Sequence, residues 1–226
     1  MDNSYQSPLP LFAAPSSLEY SAVRRALVKP LTDGQVQLAM CGVGEGQARL
    51  FCQKIDNLPV SCLVLMGWAG GLVPDLAVGD VVCADTSLRE GQPRLPCHTL
   101  PIKNNRRGPI LTVPKALLTP FEKQTAQSSG ALAVEMEAYP LADWAARKGF
   151  PFFHVRVILD GWDESLPDLN KELDPSGGMH WLPFLSRLGR HPGILKELWK
   201  LNSRVRALDA ILEKMAADVF NALLLF

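Results

Sequence analysis

The chain has 226 residues, 47% of them hydrophobic, which suits a folded globule with a sizeable core and excludes a disordered chain. Lys plus Arg and Asp plus Glu both number 23, so no net field favours nucleic acid or an anionic membrane as partner. No apolar run approaches the ~20 residues of a membrane span, and the start MDNSYQSPLP places no basic segment before an apolar one, so the expectation is a cytoplasmic protein without an integral span.

PLPLFAA reads as a short strand, and SSLEYSAVRRAL as a helix in which Ser16 and Glu19 have the spacing of a capping box. VQLAMC is a strand, GVGEGQ a glycine loop and ARLFCQKI a short helix. SCLVLMGWA is continuously apolar, as a strand buried on both faces of a mostly parallel sheet requires. A turn, AGGLVPDLAVGD, leads to the strand VVCA, and Thr86 to Arg107 lacks periodicity and reads as loop and sheet edge. GPILTV is a further strand, LLTPFEKQTAQSSG a helix stopped by Gly130, ALAV a strand, EAYPLADWAARKG a helix and FFHVRVIL the last strand. Strands alternating with helices predict an α/β fold, a single three-layer domain over 1–226 with a mostly parallel central mixed sheet flanked by helices.

Residues 161–180 form an acidic, turn-rich stretch that reads as a lid or a linker, and 181–226 a C-terminal helical extension. In that extension Leu201, Val205, Leu208, Leu212, Met215 and Val219 make one apolar stripe, either packed on the sheet or free to wall a ligand site. The apolar end ALLLF suits burial in the fold or in a subunit contact, and a homo-oligomer is expected. The five cysteines include no CxxC pair and sit mostly in apolar runs, so they read as core residues rather than as disulfides or a metal site.

Ligands of parallel α/β sheets bind beyond the carboxyl ends of the strands. Gly42-Val43-Gly44, Ala69-Gly70-Gly71 and Asp160 each follow a strand-like run. Glycines there let the backbone approach a ligand, although GVGEG alone marks no more than a turn and lacks the GK[ST] of a phosphate loop. Asp160 could simply cap the turn before Trp162, and the acids of VEME suit a helix N-terminus.

Taken together, Gly42-Val43-Gly44, GWAGGLVPDLAVGDVV (67–82), AVEMEA (133–138) and GFPFFHVRVILDGWD (149–163) resemble the nucleoside phosphorylase and nucleosidase superfamily, which includes methylthioadenosine/S-adenosylhomocysteine nucleosidase. The likeness covers most of the first 165 residues. RLGRHPGILKELWKLNSRVRALDAIL looks like a hopanoid-associated branch of that superfamily.

The resemblance implies N-glycosidic cleavage of a purine nucleoside, with Asp160 protonating N7 and favouring a 6-aminopurine. Glu137 would bind the ribose hydroxyls and Met136 pack on the sugar, with Val134, Ala69, Gly70 and Trp68 around the ligand. Of Glu135 and Glu137, two apart in sequence, one is expected to reach the ligand, and Glu137 is the choice. Glu19 matches by position the glutamate with which nucleosidases activate water, while its capping-box spacing explains it equally well. Trp68 stands where the family has a small or hydroxyl residue, and Thr86 to Ser129 lacks the family's Ser-Gly-Asp stretch. No cofactor or metal is expected. Phosphate remains open as a co-substrate against water, with Arg106 and Arg107 as candidate phosphate ligands. A non-catalytic nucleoside-binding or scaffold protein on the same fold is the alternative, though such a protein needs no acid beside the purine.

Overall fold

A computed structural model describes residues 7–166 and 194–226, with the side chains of the last helix described from 203 onward. Strands β1 (Leu9–Ala14), β2 (Gln37–Met40), β3 (Val60–Gly71), β4 (Val81–Arg89), β5 (Leu95–Pro96), β6 (Arg106–Thr112), β7 (Ala133–Glu135) and β8 (Phe152–Asp160) form one mixed sheet. Helices α1 (Ser17–Ala26), α2 (Val28–Thr32), α3 (Glu45–Ile55), α4 (Pro120–Ala126), α5 (Ala138–Lys148) and α6 (Ile194–Leu223) flank it.

The sheet runs β2-β1-β3-β7-β6-β4-β5, and β8 pairs with both β3 and β4. The five strands β3, β7, β6, β4 and β8 therefore close into a ring, while β1 and β2 extend it on one side. Most pairings are parallel, as the apolar runs predict, and β3–β7, β4–β5 and β4–β8 are antiparallel.

Alternation along β3 explains its unbroken apolar run. Leu63, Leu65 and Ala69 enter the core beneath α3 and α5, while Cys62, Val64 and Met66 enter the core beneath α1 and α6. Leu208, Leu212, Met215 and Val219 of α6 are buried in that second core, and Val205 is buried as well. The apolar stripe is thus taken up by packing. All five cysteines are buried and free, as expected of core residues.

Several boundaries differ from the sequence reading. Ala69-Gly70-Gly71 do not form a turn after β3: they are its last three residues, held by β7 and β8 on either side. The stretch read as loop carries β4 on to Arg89, adds β5 and begins β6 at Arg106, because neighbouring strands supply pairing that local periodicity does not reveal. Helix α3 starts at Glu45 rather than Ala48, and α4 starts at Pro120, fixed by its capping box of Thr119 with Glu122, and passes through a 3-10 turn, Gln127–Ser129, to the expected stop at Gly130. Most of the stretch read as a lid, 167–180, and 181–193 of the extension lie outside the described residues.

Candidate active site

The residues that the resemblance assigns to catalysis and nucleoside binding all reach one cavity. Pro15, Glu19, Val43, Trp68, Ala69, Gly70, Val134, Met136, Glu137 and Asp160 line it together with Glu135, Leu159 and the apolar group Val113, Ala116, Leu117 and Leu166. Its volume is ≈ 170 Å³. The lining comes from the carboxyl ends of β3, β7 and β8 and from the segments just past β1, β2 and β6, where a parallel sheet holds its ligands. A larger groove of ≈ 830 Å³ shares Val113 and Leu117 with it and adds Leu88 and Leu111.

One end of the cavity is built around Arg156, a residue the sequence reading passed over inside FFHVRVIL. Its guanidinium is 0% exposed. Nη2 donates to Glu135 at 2.5 Å and to Glu137 at 3.1 Å, Nη1 lies 3.9 Å from Glu19, and Nε donates to Nε2 of His154 at 2.8 Å. Burial holds His154 well below the usual histidine range, with the neighbouring Arg156 adding to the effect, so it is the neutral acceptor this bond needs. Three carboxylates thus face one guanidinium. Burial pushes Glu137 up to about 8, against the pull of Arg156 and with the push of Glu135 and Glu19.

The two acids of VEME do different work. Glu135 closes β7 and accepts from the backbone N–H groups of Glu137 (2.9 Å) and Ala138 (2.8 Å), satisfying the first turn of α5, and from the Thr112 hydroxyl. Glu137 caps α5 by position and offers its other oxygen to the Gly44 N–H at 2.8 Å. That N–H is aimed by Gly44 at φ +87°, a backbone state that favours glycine. Both glutamates line the cavity, where only one was expected, but the hydrogen bonds of Glu135 go into the fold.

Glu19 satisfies both sequence readings at once. Its capping box with Ser16 is formed, at 2.8 Å to the backbone N–H and 2.6 Å to the hydroxyl, while its other oxygen accepts from the Trp68 N–H at 2.8 Å and the residue lines the cavity. Burial raises its carboxyl above the ordinary range, opposed by Arg156.

The other end holds Asp160, the last residue of β8, 2% exposed. Its Oδ2 accepts from Nζ of Lys123, a second residue the sequence reading missed, projecting inward from α4 and 0% exposed. Burial raises the Asp160 carboxyl, opposed by Lys123. A side chain at position 70 would bring its Cβ within 3.2 Å of Oδ2 of Asp160, so glycine keeps this end open.

Arg106 and Arg107 do not reach the cavity. Arg106 pairs with Asp75 at 3.0 Å and Arg107 donates to the Leu100 carbonyl, because β6 opens at its amino end, opposite the carboxyl ends that line the site. No described residue of α6 lines the cavity either.

The profile of the Phosphorylase superfamily matches residues 13–100, which include Glu19, Gly44 and the GWAGG stretch. The fold is shared along nearly the whole chain. The methylthioadenosine nucleosidase of Helicobacter pylori, solved as a mutant with 5′-methylthioadenosine in its active site, aligns at TM-score 0.69 and 14% identity, covering 96% of this chain and 100% of that one. The futalosine hydrolase of the same organism gives 0.69 and 14% over 96% and 100%. The 5′-methylthioadenosine/S-adenosylhomocysteine nucleosidase of Neisseria meningitidis, complexed with methylthio-immucillin-A, gives 0.69 and 16% over 94% and 98%. The chain has the phosphorylase-superfamily fold. The resemblance read from the sequence is thereby borne out at the level of the fold. No curated protein matches the chain in sequence.

Proposed function

We propose that this protein hydrolyses the N-glycosidic bond of an adenosine-type nucleoside. The observation that carries the reading is the placement of Asp160 and the Glu137–Glu19 pair in one cavity at the carboxyl ends of the strands. Asp160 gives its proton to N7 of the base while the C1′–N9 bond breaks and its electron pair leaves with the purine. The ribose becomes cationic, and the carboxylates gathered around Arg156 favour that charge. A water oxygen bonds to C1′ and its proton passes to Glu19. Glu137 accepts from the ribose hydroxyls, with Met136 against the sugar.

Water is favoured over phosphate by the charge of the site. Arg156 already faces three carboxylates, and Lys123 has its partners in Asp160 and two carbonyls. Such a lining opposes a phosphate dianion. An apolar 5′ substituent has room along Val113 and Leu117 towards the larger groove.

The test is incubation with 5′-methylthioadenosine, with and without inorganic phosphate, followed by detection of adenine and of the sugar product. Free sugar at a rate independent of phosphate is expected. Sugar 1-phosphate as product would overturn hydrolysis, and tight binding without adenine release would make this a nucleoside-binding protein.

A further inference from the structure

Lys123 is a buried cation that the reaction described above does not use. It sits on α4, whose start is fixed by its capping box and Pro120, and it has no exposed surface. Its Nζ donates to Oδ2 of Asp160, to the Gly161 carbonyl at 2.7 Å and to the Glu164 carbonyl at 2.8 Å. Three acceptors match the three protons of an ammonium, so the geometry calls for the charged form. Lys123 takes Oδ2 of Asp160, not Oδ1, and Asp160 lines the cavity.

We infer that Lys123 is the positioning residue for the acid at the base end of the cavity: it holds Oδ2 of Asp160, leaves Oδ1 to face the purine, and stabilises the carboxylate left when the proton departs. This rests on the reading of Asp160 as the proton donor. The balance of the step is unchanged. The proton goes from Asp160 to N7, and Lys123 keeps all three of its own, now beside a full carboxylate. The pair is suited to this because burial alone would make Asp160 hold its proton too firmly, and the ammonium offsets that.

The other charged groups around the pair are few and placed. Glu164 and Arg204 lie on the far side, bonded to each other, with Arg204 also donating to the Leu159 carbonyl. Glu19, Glu135 and Glu137 face Asp160 across the cavity, with Arg156 beneath them. Glu137, raised to about 8, titrates in the same range, so the effect of removing Lys123 is read as the difference between parent and variant profiles, both of which carry Glu137.

The experiment is a double-mutant cycle on adenine release from 5′-methylthioadenosine, using Lys123→Met, Asp160→Asn and both together. Lys123→Met is expected to lower kcat roughly tenfold or more, and to move the alkaline limb of the kcat/KM profile up by about one pH unit, since the buried acid loses its counter-charge. In the Asp160→Asn background the same substitution is expected to change the residual rate by less than about twofold, because Lys123 acts through Asp160. If Lys123→Met folds poorly, Lys123→Gln, which keeps a donor without the charge, is expected to fold and still show the shifted limb. Equal losses in both backgrounds with an unmoved limb would mean that Lys123 only ties down the turn at Gly161–Glu164. Parent-like turnover by Asp160→Asn would instead sink the reading of Asp160 as the acid, a different failure with a different signature.

Discussion

Arg156 and Lys123 are both fully buried cations in the wall of one cavity, yet their surroundings follow opposite rules. Arg156 stands on the centre of a strand and meets Glu19, Glu135 and Glu137, an excess of acid that a single guanidinium cannot balance. Lys123 stands on a short helix and meets one carboxyl group and two carbonyls, which take up its three donors. A cluster overloaded with acid must keep a proton or attract a cation, and Glu137, raised to about 8, is where the surplus appears. Lys123 faces a single acid, so no second carboxylate holds the Asp160 proton in place, and the ammonium stabilises the carboxylate formed when that proton leaves. On the proposed reaction, the first arrangement faces the sugar, which becomes positive, and the second faces the base, which needs a proton.

The contrast is most severely tested at the arginine. Arg156→Met leaves three buried carboxylates without their counter-ion and is expected to lower stability by about 3–5 kcal/mol in urea unfolding. A loss under about 1 kcal/mol would mean that the acids are neutral and the cluster is not ionic. At the other end, Asp160→Asn is expected to fold normally and lose at least ~10²-fold in adenine release, as the proton donor is gone.

The two glutamates of VEME should then part company. Glu137→Gln is expected to lose more activity than Glu135→Gln, and Glu135→Gln to lose more stability, by about 1–3 kcal/mol, because its bonds hold the start of α5. Steady-state kinetics and thermal melts on the same two variants decide this, and the reverse ranking in either would break the division of labour.

The acid surplus also has a pH signature. Glu137 has a raised carboxyl in the folded chain and an ordinary one, about 4.5, when unfolded. Its contribution is complete below the unfolded value and is lost as pH rises through the folded one, near 8. Tm is therefore expected to fall between pH 5 and 8, by roughly 2–4 °C for each kcal/mol lost, and Glu137→Gln should flatten the decline. A parent Tm that rises over this interval would show that Arg156 dominates the cluster.

The smallest expected effect lies along the apolar flank. Each methylene added to a 5′-alkylthio series should raise kcat/KM by up to about fourfold, from ~0.8 kcal/mol of burial, while it runs along Val113 and Leu117. A flat series would confine the ligand to the smaller cavity.

Much of this was legible in the sequence because the signals were local. The alternation of strands and helices, the capping box at Ser16, the acid at the end of FFHVRVIL and the Gly42–Gly44 turn all survive in the structure. The ring closure was not legible, since β8 pairing with both β3 and β4 depends on contacts distant in sequence. Arg156 did carry a signal: a charged residue within a run of buried apolar ones requires acids nearby, and VEME supplied them. Lys123 carried none, for on a seven-residue helix with exposed neighbours an inward lysine looks like any solvated one. The tail stripe was periodic and genuine, but periodicity could not say whether it faced the core or a ligand.

Gly67 connects these elements in a way that matters for how the protein can change by mutation. A Cβ at this position would collide with Oε1 of Glu19 and lie 2.5 Å from Nη1 of Arg156. A single base change from a glycine codon reaches alanine, serine or valine, and each introduces that atom. In a saturation library sorted for folded protein, Gly67 should therefore be as depleted of substitutions as Arg156, although it has no side chain to lose. The routes open to descendants of this sequence are correspondingly narrow: position 67 becomes free only in backgrounds where Glu19 and Arg156 have both moved or been replaced, so the order in which the changes arise decides which of them can persist.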